Sequence, residues 1–330
     1  MNIFTNPTLA NQPSRSGTQQ FFDDVMNGLQ ASPKYMQSKY FYDTAGDKLF
    51  QDIMNCDEYY PTDCELEIFS EQTEGLANAI MAGGDAFDLI ELGAGDAMKS
   101  SYLLQHLLDK KADFNYLPID ISEHVIDYLN STLPVTLPGL QITGLNGDYF
   151  DMLKKAAANS DRRKVVLFLG SNVGNMPVKN AEEFCTELRR HLSVNDMALL
   201  GIDLKKNPKT ILAAYNDKDG ITKKFNLNLL ERINRELNAN FDLNQFDHYP
   251  TYDPETGSCK SYLVSLADQT VKIDGGEPIT FLKNEHIFME ISQKYTVAQT
   301  NDMAKKSGFK TDGHFYDKRQ WFLDVIWIAE

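Results

Sequence analysis

The chain has only four cysteines among its 330 residues, Cys56, Cys64, Cys185 and Cys259, and only six histidines. No Cys-x-x-Cys pair and no Cys/His spacing of the zinc type occurs, so neither a zinc module nor a disulfide framework is expected, and no metal site. Free thiols in a reducing cytoplasm fit this usage. Basic residues are outnumbered too: 32 Lys and Arg face 47 Asp and Glu, a formal charge of −15. That is the wrong sign for a sequence-independent nucleic-acid binder or for docking on an anionic membrane. No run of about 18 apolar residues occurs, and Met1 to Gln20 lacks the apolar centre of a signal peptide, so a soluble, cytoplasmic protein is expected. The absence of a Gly-x-x-x-x-Gly-Lys-Ser/Thr loop argues against a phosphoryl-transfer enzyme. There are no internal repeats. What is present is 42% hydrophobic and 11% aromatic residues, enough for a sizeable core.

Residues 1–17, rich in Asn, Pro, Ser, Thr and Gln, read as a flexible N-terminal arm. Phe21 to Leu29 has helical spacing. A polar, aromatic-rich stretch runs from Lys34 to Thr62. Thr62 and Glu65 have capping-box spacing, which predicts one helix from Asp63 to about Met81. Strand candidates then follow at 87–92, 115–119, 141–145, 164–169 and 197–203, with helices at 100–110, 122–132, 149–158 and 181–192. Repeated βα units imply a right-handed, doubly wound, Rossmann-like parallel sheet. After Asp203 the rhythm breaks. Residues 208–237 read as mostly helical and 249–295 as antiparallel strands with turns at 253–257 and 274–277. A helix at 303–308 and a strand at 320–329 resume the first rhythm. This pattern predicts an α/β sheet domain of 63–203 plus 295–330, with a smaller α+β domain, 31–62 plus 204–294, inserted.

The most informative run is Asp88-Leu-Ile-Glu91-Leu-Gly93-Ala-Gly95-Asp-Ala-Met-Lys99-Ser. It reads as a buried strand, a glycine turn and a helix start, the place where a parallel sheet binds nucleotide-like ligands. No third glycine follows within Asp96–Ser101, so the pyrophosphate fingerprint is incomplete. That counts against a nicotinamide-dependent oxidoreductase. The acidic Glu91 before Gly-x-Gly suits a ligand with a ribose and a cationic centre, such as S-adenosylmethionine. Three further strand ends fit the same ligand. Asp120 suits the ribose hydroxyls, Asp148 and Tyr149 the adenine amine and face, and the Gly170–Asn175 turn sits at the crevice. Each alone also fits an ordinary turn or cap; together they favour an adenosyl ligand. Lys99 fits either a surface lysine or an anchor for the ligand's carboxylate beside a helix N-terminus.

With these motifs the chain resembles the histidine-specific Nα-methyltransferases of ergothioneine biosynthesis, which convert histidine to trimethylhistidine (hercynine) with S-adenosylmethionine. The resemblance runs from about Ala31 to the C-terminus. It rests on Lys39-Tyr-Phe-Tyr-Asp43, Glu58-Tyr59-Tyr-Pro-Thr62, Glu91-Leu-Gly93-Ala-Gly95 with Lys99, Pro118-Ile-Asp120, Phe168–Asn175, Ala214-Tyr215-Asn-Asp, Gly220–Asn226, Asn234-Arg-Glu-Leu and Glu290-Ile-Ser292-Gln-Lys294-Tyr. It implies that 63–203 plus 295–330 bind the methyl donor through Gly93, Gly95, Lys99, Asp120, Asp148 and Tyr149, and that the inserted domain is a substrate-binding lid. Asn175 and Tyr215 would grip the substrate carboxylate, Glu290 and Ser292 would read the imidazole edge, Tyr59 would neighbour the ring, and Tyr42 with Asn175 would position the amine. Read from pattern alone, Glu290 and Ser292 also fit a half-exposed strand.

One position departs from the family. Where it usually places a methionine that walls the ring pocket, preceded by an acidic residue, this chain has Lys260-Ser261. More room or polarity there opens the alternative of a larger aromatic amino acid, as in the ergot-alkaloid branch that methylates a prenylated tryptophan. A non-catalytic adenosyl-binding regulator is a further rival; it would have lost pocket residues that this chain keeps. The expected partner is a small molecule, an amino-acid substrate, and the expected state a monomer. Transfer from a sulfonium needs no nucleophilic cysteine or histidine. It needs a neutral amine held in line, and positioning of that kind is worth up to roughly 7–11 kcal/mol.

Overall fold

The computed structural model describes residues 17–84 and 86–330. The expected arm falls outside these residues except at Gly17, which opens the helix Gly17–Gln30. The chain divides into two compact units. One comprises Pro61–Lys205 with Gln293–Glu330, the other 17–60 with Lys206–Ser292.

The first unit is built on a seven-stranded sheet. Its strands are β1 (Phe87–Leu92), β2 (Phe114–Asp120), β3 (Leu145–Asn146), β4 (Arg163–Phe168), β5 (Met197–Asp203), β6 (Phe309–Tyr316) and β7 (Phe322–Ala329). They lie in the order β6-β7-β5-β4-β1-β2-β3. The neighbours from β3 to β5 are parallel, while β7 runs antiparallel to β5 and β6 antiparallel to β7. This is the doubly wound, Rossmann-like order. Every residue of β1 and β5 is buried, as expected of strands covered on both faces. Ile90, Leu92, Val166, Phe168, Leu200, Val325 and Trp327 pack with Leu153, Cys185, Leu188 and Met303 from the helices into one core.

Several local readings are corrected. The helix foreseen over 63–81 is two, Tyr60–Glu71 and Thr73–Met81, broken at Gln72. It starts at Tyr60 rather than at a Thr62 cap, because Pro61 already suits a first helical turn. The third strand shrinks from 141–145 to Leu145–Asn146 plus a single bridge between Tyr116 and Ile142. The stretch 309–316 is a strand that the polar run Lys310-Thr-Asp312 conceals. It is an edge strand, half exposed, so its pattern is weak.

The second unit has a four-stranded sheet in the order Lys34–Tyr35, His286–Gln293, Ser258–Ser265, Phe246–Tyr252, and a small hairpin of Gln269–Val271 with Ile279–Phe281. The contribution of Lys34–Tyr35 is parallel, an exception to the antiparallel reading. Residues 208–237 form two helices, Pro208–Ala214 and Ile221–Leu237, separated by a turn at Tyr215–Gly220. Phe225, Leu229, Ile233 and Leu237 recur at helical spacing, and all are buried against Leu263, Ile287, Met289 and Phe281.

Candidate active site

At the carboxyl ends of the parallel strands the backbone bends where a ligand needs room. Gly93 and Gly95 have φ of +70° and +53°, the left-handed region that glycine enters without cost. A Cβ on Gly93 would stand 2.7 Å from the Tyr149 hydroxyl, so the turn passes directly under that phenol. Asp120 ends β2. Its Oδ1 accepts from Ser122 N at 2.9 Å and its Oδ2 from Gly95 N at 3.4 Å, which ties two strand ends together. A carboxylate has about four lone-pair sites, so both oxygens keep acceptor capacity after these bonds. Burial raises the Asp120 pKa from the ordinary value, opposed by those peptide N–H groups. Asp148 caps the helix Tyr149–Ala158, accepting from Phe150 N at 2.9 Å, and so places Tyr149 on the first turn. Burial pushes the Tyr149 phenol up to about 12, so it stays a donor.

Beneath this rim lies a group of acids that the sequence reading missed. Glu65 is fully buried; its Oε1 and Oε2 accept from Gly170 N at 2.8 and 3.0 Å, and it forms an ion pair with Lys99. Lys99 therefore already has a partner. Burial pulls its ammonium down, but the charge and hydrogen bond of Glu65 outweigh that and raise its pKa. Glu91, the acidic strand end before the glycine turn, lies in this group beside Lys99 and Glu65. It is buried, accepts from Tyr116 Oη at 2.6 Å, and is pushed up to about 7 by desolvation. One signal could have pointed to this group: Gly201 sits inside a fully buried strand, a usual mark of close approach, whereas the Thr62-x-x-Glu65 spacing reads as a cap. A Cβ on Gly201 would lie 2.1 Å from Glu65 Oε1.

After β4, Gly170 (φ +70°) and Ser171 (φ +55°) turn the chain into a short 3-10 turn, Asn172–Asn175. Asn175 is exposed there, with its Nδ2 3.3 Å from Asn172 Oδ1. A Cβ on Gly174 would meet Gln293 O at 2.7 Å, which fixes this turn against the chain segment after Ser292.

The remaining candidates belong to the second unit. Tyr215 ends the helix Pro208–Ala214, and its hydroxyl bonds Ser292 Oγ at 2.8 Å. The two pairs foreseen as separate, one for a carboxylate and one for a ring, thus share a hydroxyl contact. Tyr59 meets Tyr215 edge to face at 6.1 Å and Phe50 at 6.4 Å, and Phe50 meets Tyr42 at 5.7 Å. Tyr42, Phe50, Tyr59 and Tyr215 form one aromatic wall, with Phe225 behind Tyr42 at 5.9 Å. The motif holding Tyr42 is otherwise structural: Lys39 and Tyr40 bond Asp24, and Asp43 caps the helix Thr44–Met54 while receiving Asn228 and Arg235. Glu290 is half-buried and Ser292 is buried on the strand His286–Gln293. Ser261 is 1% exposed, opposite Pro250, on the buried side of its strand with Cys259 and Leu263.

Against known proteins, the family described as histidine-specific methyltransferase, SAM-dependent, matches residues 21–329. The chain belongs to this family. A histidine N-alpha-methyltransferase of Mycolicibacterium smegmatis is 33% identical over 82% of this chain and 83% of its own. Ergothioneine biosynthesis protein 1 of Schizosaccharomyces pombe is 27% identical over 83% of this chain and 36% of its own. An L-tryptophan methyltransferase of Psilocybe serbica is 26% identical over 89% of each chain. The methyl donor of the family is S-adenosylmethionine, and the strand ends fit it: a glycine turn without side chains, an acidic strand end at Asp120, and a phenol over Gly93. The protein is a methyltransferase of small-molecule substrates. No helix among the described residues is long and apolar enough to cross a membrane.

Proposed function

We propose that this chain methylates the α-amine of L-histidine with S-adenosylmethionine and carries it to trimethylhistidine, the hercynine of ergothioneine biosynthesis. The observation that carries this reading is the end-to-end match to a histidine-specific family, residues 21–329, in a chain that keeps Asn175, Tyr215, Glu290 and Ser292. When bound, the donor supplies an electrophilic methyl group on a cationic sulfur.

Each side chain then has a task. Asp120 holds the ribose hydroxyls, Asp148 and Tyr149 the adenine, and Lys99 the donor's carboxylate, with Gly93 and Gly95 giving backbone room. The smaller unit, taken as 31–62 plus 204–294, supplies Tyr42, Tyr59, Tyr215, Glu290 and Ser292 to the amino acid. Asn175 donates its amide and Tyr215 its phenol to the substrate carboxylate. Glu290 accepts the ring N–H, and Ser292, already bonded to Tyr215, completes the ring's pattern. Tyr59 packs beside the ring, while Tyr42 and Asn175 steer the amine. A neutral amine is required, and a desolvated site lowers an amine's pKa, so the proton leaves before each transfer. Free thiols throughout fit a reducing cytoplasm, and we take the working state to be a monomer.

A second reading rests on Ser261, which offers a small buried hydroxyl where the family usually has methionine. A larger aromatic amino acid such as tryptophan would use that space. Histidine and histamine separate substrate recognition from mere ring binding. With S-adenosylmethionine present, mass spectrometry should find methylated histidine and no methylated histamine, since histamine lacks the carboxylate. Turnover of histamine at a comparable rate would remove the roles of Asn175 and Tyr215.

A further inference from the structure

We propose that Glu65 is a positioning residue of the methyl-donor site: its carboxylate holds the Gly170 peptide and the Lys99 ammonium together, and so presents Lys99 to the carboxylate of S-adenosylmethionine. The inference rests on the reading of Lys99 as the anchor of that carboxylate. Glu65 reaches no substrate role of its own; it acts through two others.

The geometry is specific. Glu65 stands on the helix Tyr60–Glu71, yet both its oxygens point at Gly170 N, at 2.8 and 3.0 Å. The sheet makes room for it by omitting a side chain at Gly201, where a Cβ would lie 2.1 Å from Oε1. A glycine in the middle of a strand weakens it, so that omission has a cost which the Glu65 contact offsets. Gly201 pairs in register with Asp324 on β7, which brings a second acid alongside. Glu91 on β1 is the third, with Tyr116 on β2 bonded to it.

These acids face one cation, Lys99, whose Nζ lies 3.7 Å from where a Gly170 Cβ would sit. Burial in this group holds Asp324 well above the usual carboxylate range, and the neighbouring Glu65 adds to that. Desolvation raises Glu91 as well. Glu65 is thus the acid that meets Lys99 directly, through a charge-assisted bond. An ammonium has three N–H donors. With one committed to Glu65, the others are oriented rather than free to swing, and an arriving carboxylate meets a fixed donor.

Glu65→Gln keeps the shape and one acceptor oxygen but removes the charge. It should raise the KM for S-adenosylmethionine and the Kd for S-adenosylhomocysteine by roughly 10- to 100-fold, the worth of a hydrogen bond to a charged group. The KM for histidine should stay within about twofold, as expected when only donor binding is lost. The loss should deepen from pH 7 to pH 9, because without Glu65 burial pulls Lys99 down against the weaker pull of Asp324 and Glu91 alone, and its proton leaves at lower pH; the unaltered protein should lose less over that range. Glu65→Asp, which keeps the charge one methylene short, should give an intermediate loss. In a Lys99→Met background, Glu65→Gln should add little. Unaltered S-adenosylhomocysteine affinity in either soluble Glu65 variant, or fully additive losses with Lys99→Met, would overturn the proposal while leaving the methyltransferase reading intact. Failure of the unaltered protein to bind S-adenosylhomocysteine would instead remove the reading beneath it.

Discussion

A buried acid shows how single residues set this protein's pH response. Glu91 is fully enclosed, and desolvation lifts it to about 7, with the Tyr116 hydroxyl pulling the other way. Its pKa in the unfolded chain is near the ordinary value, so between about 4.5 and 7 the folded protein keeps a proton that the unfolded chain has lost. The stability this contributes is complete below that window and lost as pH rises through it. Glu91→Gln should remove the slope. Relative to the parent, its stability should improve by roughly 3 kcal/mol between pH 4.5 and pH 8, at about 1.4 kcal/mol per pH unit. Denaturation curves at several pH values check this, and parallel pH dependences in the two proteins would contradict it. Such residues are hard to read from sequence. Glu91 precedes Gly93 as a ligand-facing acid would, and only the three-dimensional neighbours Tyr116 and Ser100 show how deeply it is buried.

At the scale of elements, caps place the candidate site residues. Asp217, two residues after Tyr215, accepts from Ile221 N and Thr222 N, both at 2.7 Å, and so holds the first turn of the helix Ile221–Leu237. Burial opposes its ionisation, but these hydrogen bonds prevail and keep its carboxyl below the ordinary value. Asp217→Ala should cost ~1–2 kcal/mol, as lost caps do. It should also raise the KM for histidine by loosening Tyr215, with the KM for S-adenosylmethionine unchanged. Thermal melts and paired KM measurements test both halves; an unchanged melting temperature would contradict the capping role. The strand 197–203 was legible because a strand buried on both faces leaves a continuous hydrophobic run, here Met197 to Ile202, and 87–92 because its apolar residues run straight into the Gly93 turn. The edge strand Phe309–Tyr316 was not, since Lys310, Asp312 and His314 face outward. The break at Gln72 carries no proline or glycine to announce it.

For the whole molecule, the family match establishes a methyltransferase, and the seven-stranded order is its Rossmann-like fold. The four strand ends proposed to hold the donor could be grouped from the sequence because neighbouring parallel strands end at one edge of the sheet. The aromatic wall of Tyr42, Phe50, Tyr59 and Tyr215 was readable only through the family resemblance, since its members lie far apart in the chain. The measurement that bears most directly on the account is kcat/KM for histidine against tryptophan, in the parent protein and in Glu290→Ala. A site built to hydrogen-bond the imidazole edge rejects a ring that presents no donor at that position, the larger indole included, far better than an apolar slot does. The account predicts a strong preference for histidine in the parent, reduced in Glu290→Ala by a fall in histidine turnover. Turnover of tryptophan with none of histidine would contradict it.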